Sequence, residues 1–208
     1  MRILLLHAFP LDPAMWDAQR PVLEAHDVVA PAIYGRGNSM DAWAESILAE
    51  LEGSFVAVGA SMGGGCALAM ARQQPARVEA IVLAGALAGP DAPERRPQRE
   101  ATIERIRTEG AEAVWEGSGP APSADELVDV VEALRDRPDD RATVASLDIP
   151  LLVVVGDADP MIPVETAREL AGSAPDGSFE LVDGAGHLVG VERPEGFNRA
   201  LAEFLERL

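Results

Sequence analysis

Phe55-Val56-Ala57-Val58-Gly59-Ala60-Ser61-Met62-Gly63-Gly64-Gly65 is the stretch whose reading decides the fold. Its first four residues make a short apolar strand, and the Ala-rich run beyond the glycines, ending near Pro75, makes a helix. Between them stands Gly-x-Ser-x-Gly. A serine on so sharp a strand-to-helix turn needs small residues at 59 and 63, because side chains there would collide across the junction. The pattern by itself is common. With a strand before it and a helix after it, it points to Ser61 as a nucleophile rather than to a glycine-rich turn with an incidental serine.

Working outward, further apolar runs at 2–6, 27–30, 78–84, 150–155 and 178–182 read as strands. None alternates with polar residues, so each is expected to be buried on both faces, the mark of parallel βαβ units with helices on both sides of a sheet. Ser39 caps a helix with Met40, Trp43, Ile47, Leu48 and Leu51 at helical spacing, and Phe197, Leu201, Phe204, Leu205 and Leu208 form a similar stripe; both read as core. Residues 89–148 differ: Pro and charged residues come first, then two helical stretches. The second starts on a capping box, Ser123 to Glu126, followed by Leu127, Val130, Val131 and Leu134. We expect one domain over 1–208, with 89–148 inserted as a small helical cap.

Composition narrows the chemistry. With 35 acidic and 17 basic residues the chain carries −18, which argues against nucleic acid and anionic membranes as partners and for small molecules. All 17 basic residues are arginines, so Schiff bases, pyridoxal-phosphate anchoring and the Walker lysine are excluded. Cys66 is the only cysteine, which rules out intramolecular disulfides and cysteine-based metal clusters; it reads as core filler. The first apolar run, broken by His7, is too short for a secretion signal, and no stretch approaches the ~18–20 apolar residues of a spanning helix. A cytoplasmic enzyme with neither metal nor cofactor is expected.

A serine hydroxyl needs a base, and the chain offers only His7, His26 and His187. His187 follows the last strand in Gly184-Ala185-Gly186-His187, where it can reach across the carboxyl edge of the sheet. His26 precedes its strand and belongs to the other edge; His7, just after the first strand, reads as a structural loop residue. A carboxylate should orient the base. Asp157 and Asp159 after the fifth strand compete for that place, with Asp183 as a third candidate. An oxyanion hole needs two backbone N–H groups: Met62, at the positive end of its helix, should supply one, and the loop His7-Ala8-Phe9-Pro10 the other. If the second strand lies outside the first and the third on its other side, these loops flank a topological switch point, where ligands bind. Phe9 could instead be an ordinary core aromatic.

Taken together, His7-Ala8-Phe9-Pro10, residues 31–39 (PAIYGRGNS), 59–64 (GASMGG), 156–163 (GDADPMIP) and 184–187 (GAGH) resemble the α/β-hydrolase superfamily over nearly the whole chain. The resemblance implies Ser61 as nucleophile, His187 and Asp159 as its partners, and the Phe9 and Met62 amides as the oxyanion hole. Asp159 is selected because relatives carry the acid three residues after the glycine that ends its strand. Relatives begin with two more strands, so the implied architecture is a six-stranded, all-parallel sheet of order 2-1-3-4-5-6. Ala8 replaces a usual glycine and restricts the oxyanion loop. Ala32 stands where relatives carry Asp, which implies a missing hydrogen bond near the turn at 35–39.

The implied activity is hydrolysis of a small-molecule carboxylic ester or lactone through an acyl-enzyme. The same three side chains would also serve C–C bond hydrolysis, acyl transfer or perhydrolysis, and some proteins of this fold are non-enzymatic ligand sensors. Arg95 to Gly110 is weakly similar to 3-oxoadipate enol-lactonase-like proteins. Arginines 95, 96, 99, 105 and 107 could bind a carboxylate, but acids at 91, 94, 100, 104 and 109 balance them, and intrahelical ion pairs are the favoured reading. Trp115 is a candidate wall of the substrate pocket.

Overall fold

The four inner apolar runs form strands that bury both of their faces. The computed structural model of the chain describes all 208 residues. It contains β1 (Arg2–Leu6), β2 (Asp27–Val29), β3 (Phe55–Ala60), β4 (Val78–Ala84), β5 (Leu151–Gly156) and β6 (Gly177–Val182). They form one sheet of order β2-β1-β3-β4-β5-β6, every pair parallel, which is the expected topology. Leu4, Leu6, Phe55, Ala57, Ile81, Leu83, Leu151 and Val153 point into one core; Ile3, Leu5, Val56, Val58, Ala80, Val82, Leu152 and Val154 point into the other. Two apolar faces explain why no alternation with polar residues is visible.

The edge strands depart from that expectation. Asp27 of β2 and Gly177, Glu180 and Leu181 of β6 are exposed, since a strand at an edge has a neighbour on one side only. The β3 strand also runs two residues further than its apolar run, up to Ala60, one residue before the serine.

On the first face lie α1 (Met40–Glu50), α2 (Met62–Gln73) and α6 (Val164–Ser173), and on the second α7 (Val189–Glu192) and α8 (Pro194–Leu205) with a 3-10 helix at Pro13–Leu23. Ser39 caps α1 through the Ala42 N–H at 3.2 Å, and the apolar stripe of α1 is buried as its spacing predicts. In α8 the stripe holds up to Leu205; the helix ends there, leaving Leu208 exposed. The 3-10 helix at residues 13–23, which the apolar runs do not mark, contains Pro21 and turns Trp16, Gln19 and Leu23 inward. Residues 89–148 run between β4 and β5. Within them α3 (Arg96–Glu109) packs on α4 (Ala124–Arg135) through Ile103, Ile106, Leu127, Val128 and Val131, and the capping box of α4 is formed by Ser123 and Glu126. The last short helix of the segment, α5 (Arg141–Ala145), packs instead on α2 and α6. No helix is long and apolar enough to cross a membrane.

Near the turn at 35–39 Ala32 offers only its backbone carbonyl to the neighbouring side chains. Arg36 Nε donates to the Ala32 carbonyl at 2.6 Å, while its guanidinium pairs with Glu50 at 2.8 Å.

His7 closes β1 and is fully buried. Its Nε2 accepts the Ile33 N–H at 2.9 Å, so Nδ1 carries the proton and donates to the Ala8 carbonyl at 3.1 Å. Tyr34 lies against the ring, centroid to centroid 4.9 Å. Both nitrogens are occupied by backbone, in keeping with a structural role. Burial disfavours the imidazolium and pulls the His7 pKa down to about 4 from an unfolded value near 6.5. The unfolded chain therefore binds more protons between these values, and His7 stabilises the fold above pH ~6.5 and loses that contribution as pH falls toward ~4. Urea unfolding from pH 7 to 4 should show a decline, relative to His7→Gln, of up to about 3 kcal/mol; parallel curves for the two proteins would contradict it.

Candidate active site

The turn after β3 leaves no space for side chains at its flanks. A Cβ on Gly59 would strike the backbone of Gly63, and one on Gly63 would strike the Leu6 carbonyl at the end of β1. Between them Ser61 takes φ 48° and ψ −108° and is the one non-glycine residue with positive φ. The conformation is held from both sides: the Ser61 N–H donates to the Ala84 carbonyl at 2.9 Å, and the Gly64 N–H to the Ser61 carbonyl at 3.1 Å.

Loops after β5 and β6 bring two more side chains to this turn. His187 Nε2 lies 3.0 Å from Ser61 Oγ, and His187 Nδ1 lies 2.9 Å from Asp159 Oδ2. A neutral ring protonated at Nδ1 donates to Asp159 and leaves Nε2 to accept from the serine hydroxyl. The Asp159 side chain is fully buried. Burial alone would raise its pKa, but the His187 hydrogen bond and the Met161 and Ile162 N–H groups, at 2.7 and 3.1 Å, outweigh it and hold the carboxyl below its usual range. The competing acids go elsewhere: Asp157 is exposed and accepts the Gly184 N–H at 2.6 Å, and Asp183 is exposed. His26 lies at the amino end of β2, away from the serine.

One positioning group was not anticipated. Glu192 accepts the Gly186 N–H at 2.8 Å and the Leu188 N–H at 2.9 Å, so its carboxylate clasps the backbone on both sides of His187. No sequence signal marks it, because the clasp forms only when the loop folds back onto α7.

Ser61 and His187 open into a cavity of about 200 Å³ that also takes in Phe9, Gly85, Ala86, Leu87, Leu134, Met161, Ile162 and three arginines, Arg95, Arg99 and Arg137. Phe9, on the loop after β1, and Met62, the first residue of α2, both have N–H groups without a protein acceptor. Such amides can stabilise an oxyanion.

Trp115 is not part of this cavity, contrary to the expectation. Its ring meets Tyr34 edge-on at 5.4 Å and its Nε1 donates to the Gly119 carbonyl at 3.0 Å, so it packs the 110–120 loop and borders a separate depression with Asp12 and Pro13. Of the five arginines, 96 and 105 face solvent in intrahelical ion pairs, as expected, and 107 faces solvent but pairs across to Glu132 of α4; 95 and 99 face the cavity. Arg137, beyond α4 and outside that charged stretch, joins them in the cavity.

A family model described as the alpha/beta hydrolase family matches residues 3–200. A pimeloyl-[acyl-carrier protein] methyl ester esterase of Klebsiella pneumoniae is 28% identical over 242 residues, covering 99% of this chain and 94% of the relative. A protein of the same description from Aromatoleum aromaticum is 39% identical over 90 residues, 40% of this chain and 36% of the relative. Among solved structures, the malate-bound thermophilic esterase from Thermogutta terrifontis superposes with a TM-score of 0.89 at 30% identity, covering 100% of this chain and 90% of that one. The enol-lactonase from Burkholderia xenovorans LB400 shares the fold, with a TM-score of 0.86 at 21% identity over 99% and 91% of the two chains.

The backbone at Ser61 allows a direct test of strain. Ser61→Gly and Ser61→Ala both lose the hydroxyl, but only alanine keeps a Cβ at positive φ, so the glycine variant should be more stable than the alanine variant by about 1 kcal/mol in urea unfolding. Equal stabilities would show that the turn is relaxed.

Proposed function

We propose that this chain, which belongs to the alpha/beta hydrolase family, hydrolyses small-molecule carboxylic esters, open or cyclic, through an acyl-enzyme on Ser61. The observation that carries the reading is the unbroken hydrogen-bonded line Ser61 Oγ–His187–Asp159 opening into a cavity. Relatives described as esterases support the ester as the bond that is cut.

In this reading His187 Nε2 takes the proton of Ser61 as Oγ attacks the ester carbonyl. Asp159, kept ionised by its three donors, orients the ring and stabilises the imidazolium. The Phe9 and Met62 N–H groups receive the oxyanion, and the start of α2 adds its positive end. His187 then returns the proton to the leaving alcohol, the acyl group stays on Ser61, and a water activated by the same nitrogen releases the acid. The Nδ1–H···Asp159 bond fixes the tautomer that both halves require. Within residues 89–148 the α3–α4 part acts as the cap over the site, and Arg95, Arg99, Leu134 and Arg137 line the cavity from it.

A 4-nitrophenyl butyrate assay should show a burst of nitrophenolate equal to the enzyme concentration. Ser61→Ala should lower kcat by roughly 10⁴-fold or more, and Asp159→Asn by about 10⁴-fold. Wild-type turnover by folded Ser61→Ala protein would overturn the reading.

A further inference from the structure

Three guanidinium groups meet in the cavity that holds Ser61, in a chain whose net charge is −18. They come from separate places: Arg95 from the turn before α3, Arg99 from the amino end of α3, and Arg137 from the segment after α4. One carboxylate answers them. Asp91, its side chain 4% exposed, accepts from Arg99 Nε at 2.9 Å and Nη2 at 3.4 Å.

Arg137 is less well served. Its side chain is 16% exposed, its Nη2 lies 3.8 Å from Asp91 and 3.5 Å from the Pro90 carbonyl, and its Nε is buried with no acceptor at all. Arg95 donates to the Met161 carbonyl at 2.9 Å and has no ion pair. Arg96, Arg105 and Arg107 of the same segment behave as surface charges do, each more than half exposed and paired with carboxylates.

Three cations against one anion inside a small cavity, with a buried N–H left unanswered, is an arrangement that a bound anion completes. Desolvation weakens the charged form of Arg137, Asp91 opposes that, and the neighbouring Arg99 and Arg95 add to it, all of which a second carboxylate would relieve. The planar fork of a guanidinium matches a carboxylate.

We infer that Arg95, Arg99 and Arg137 form a carboxylate subsite, and that the ester substrate carries a free carboxylate beside the ester group. This rests on the ester-hydrolase reading above and names its substrate class. The carboxylate sits on either the acyl or the alcohol half.

Two matched pairs of esters separate those halves: 4-nitrophenyl monoglutarate against 4-nitrophenyl butyrate, and the butyryl ester of 4-hydroxybenzoate against phenyl butyrate, all at one ionic strength. In the wild type one acidic ester should exceed its neutral partner in kcat/KM by roughly ten- to hundredfold. That ratio should collapse toward unity in Arg137→Gln and in Arg95→Gln, mainly through KM, while Arg105→Gln keeps the wild-type ratio. Arg95→Gln leaves the Asp91 pair intact and guards against misfolding. Neutral esters preferred in both pairs, or a ratio unmoved in both cluster variants, would overturn the subsite. Calorimetry of glutarate with Ser61→Ala protein tests it without turnover: binding that is lost on adding Arg137→Gln supports the subsite even if no ester is cleaved, and absence of binding counts against it.

Discussion

Residues 59–63 close so tightly that two of them have no room for a Cβ, and the rest of the site depends on that closure. Because Gly63 rests on the Leu6 carbonyl, the start of α2 is pressed against the end of β1. The loop carrying Phe9 and the turn carrying Ser61 are thereby forced into one cavity. The backbone strain at Ser61, of order 1–3 kcal/mol, persists because the surroundings over-determine it. Ala84 on the neighbouring strand holds its N–H, and β3 and β4 are buried from end to end apart from Glu79. A rigid interior sheet is what allows a strained turn at its edge.

The buried polar groups near this turn are sorted by what their hydrogen bonds leave free. His7 and His187 both follow strands at the same edge of the sheet. His7 spends both nitrogens on backbone and is held neutral, so it has nothing to offer a substrate. His187 spends one nitrogen on Asp159 and points the other at Ser61. Asp159 is wholly buried yet ionised because three donors replace the water it lost. Glu192 adds a constraint on the backbone rather than on the ring, gripping amides one residue before and one after His187.

The arginines beside Ser61 show how a local pattern is divided by tertiary context. Along residues 91–109 five arginines stand against five acids, and on the outer side of α3 Arg96, Arg105 and Arg107 each find a carboxylate. The inner side loses that balance: Arg95, Arg99 and Arg137 line the cavity, and Asp91 meets only Arg99 and Arg137. Net charge along a segment and net charge inside a cavity are different quantities, since only the second depends on which side chains turn inward.

Much of this molecule is legible in its sequence. Six apolar runs without alternation meant strands covered on both faces, hence a parallel sheet, and the order 2-1-3-4-5-6 followed from its family resemblance. Gly-x-Ser-x-Gly between a strand and a helix located the turn, because sterics at 59 and 63 act between residues close in sequence. Three histidines in the chain made the choice of partner for Ser61 short. Asp157, Asp159 and Asp183 could not be separated by spacing alone: which of them meets His187 is set by how the loops after β5 and β6 cross, and the structure brings Asp159 there. Trp115 went to Tyr34 rather than to the cavity, Glu192 closed around His187, and Arg137 arrived from 38 positions beyond Arg99. Local sterics and periodicity are written in the order of residues. Contacts between segments far apart in the chain come into being only when the sheet and helices are packed, and tertiary structure alone decided them.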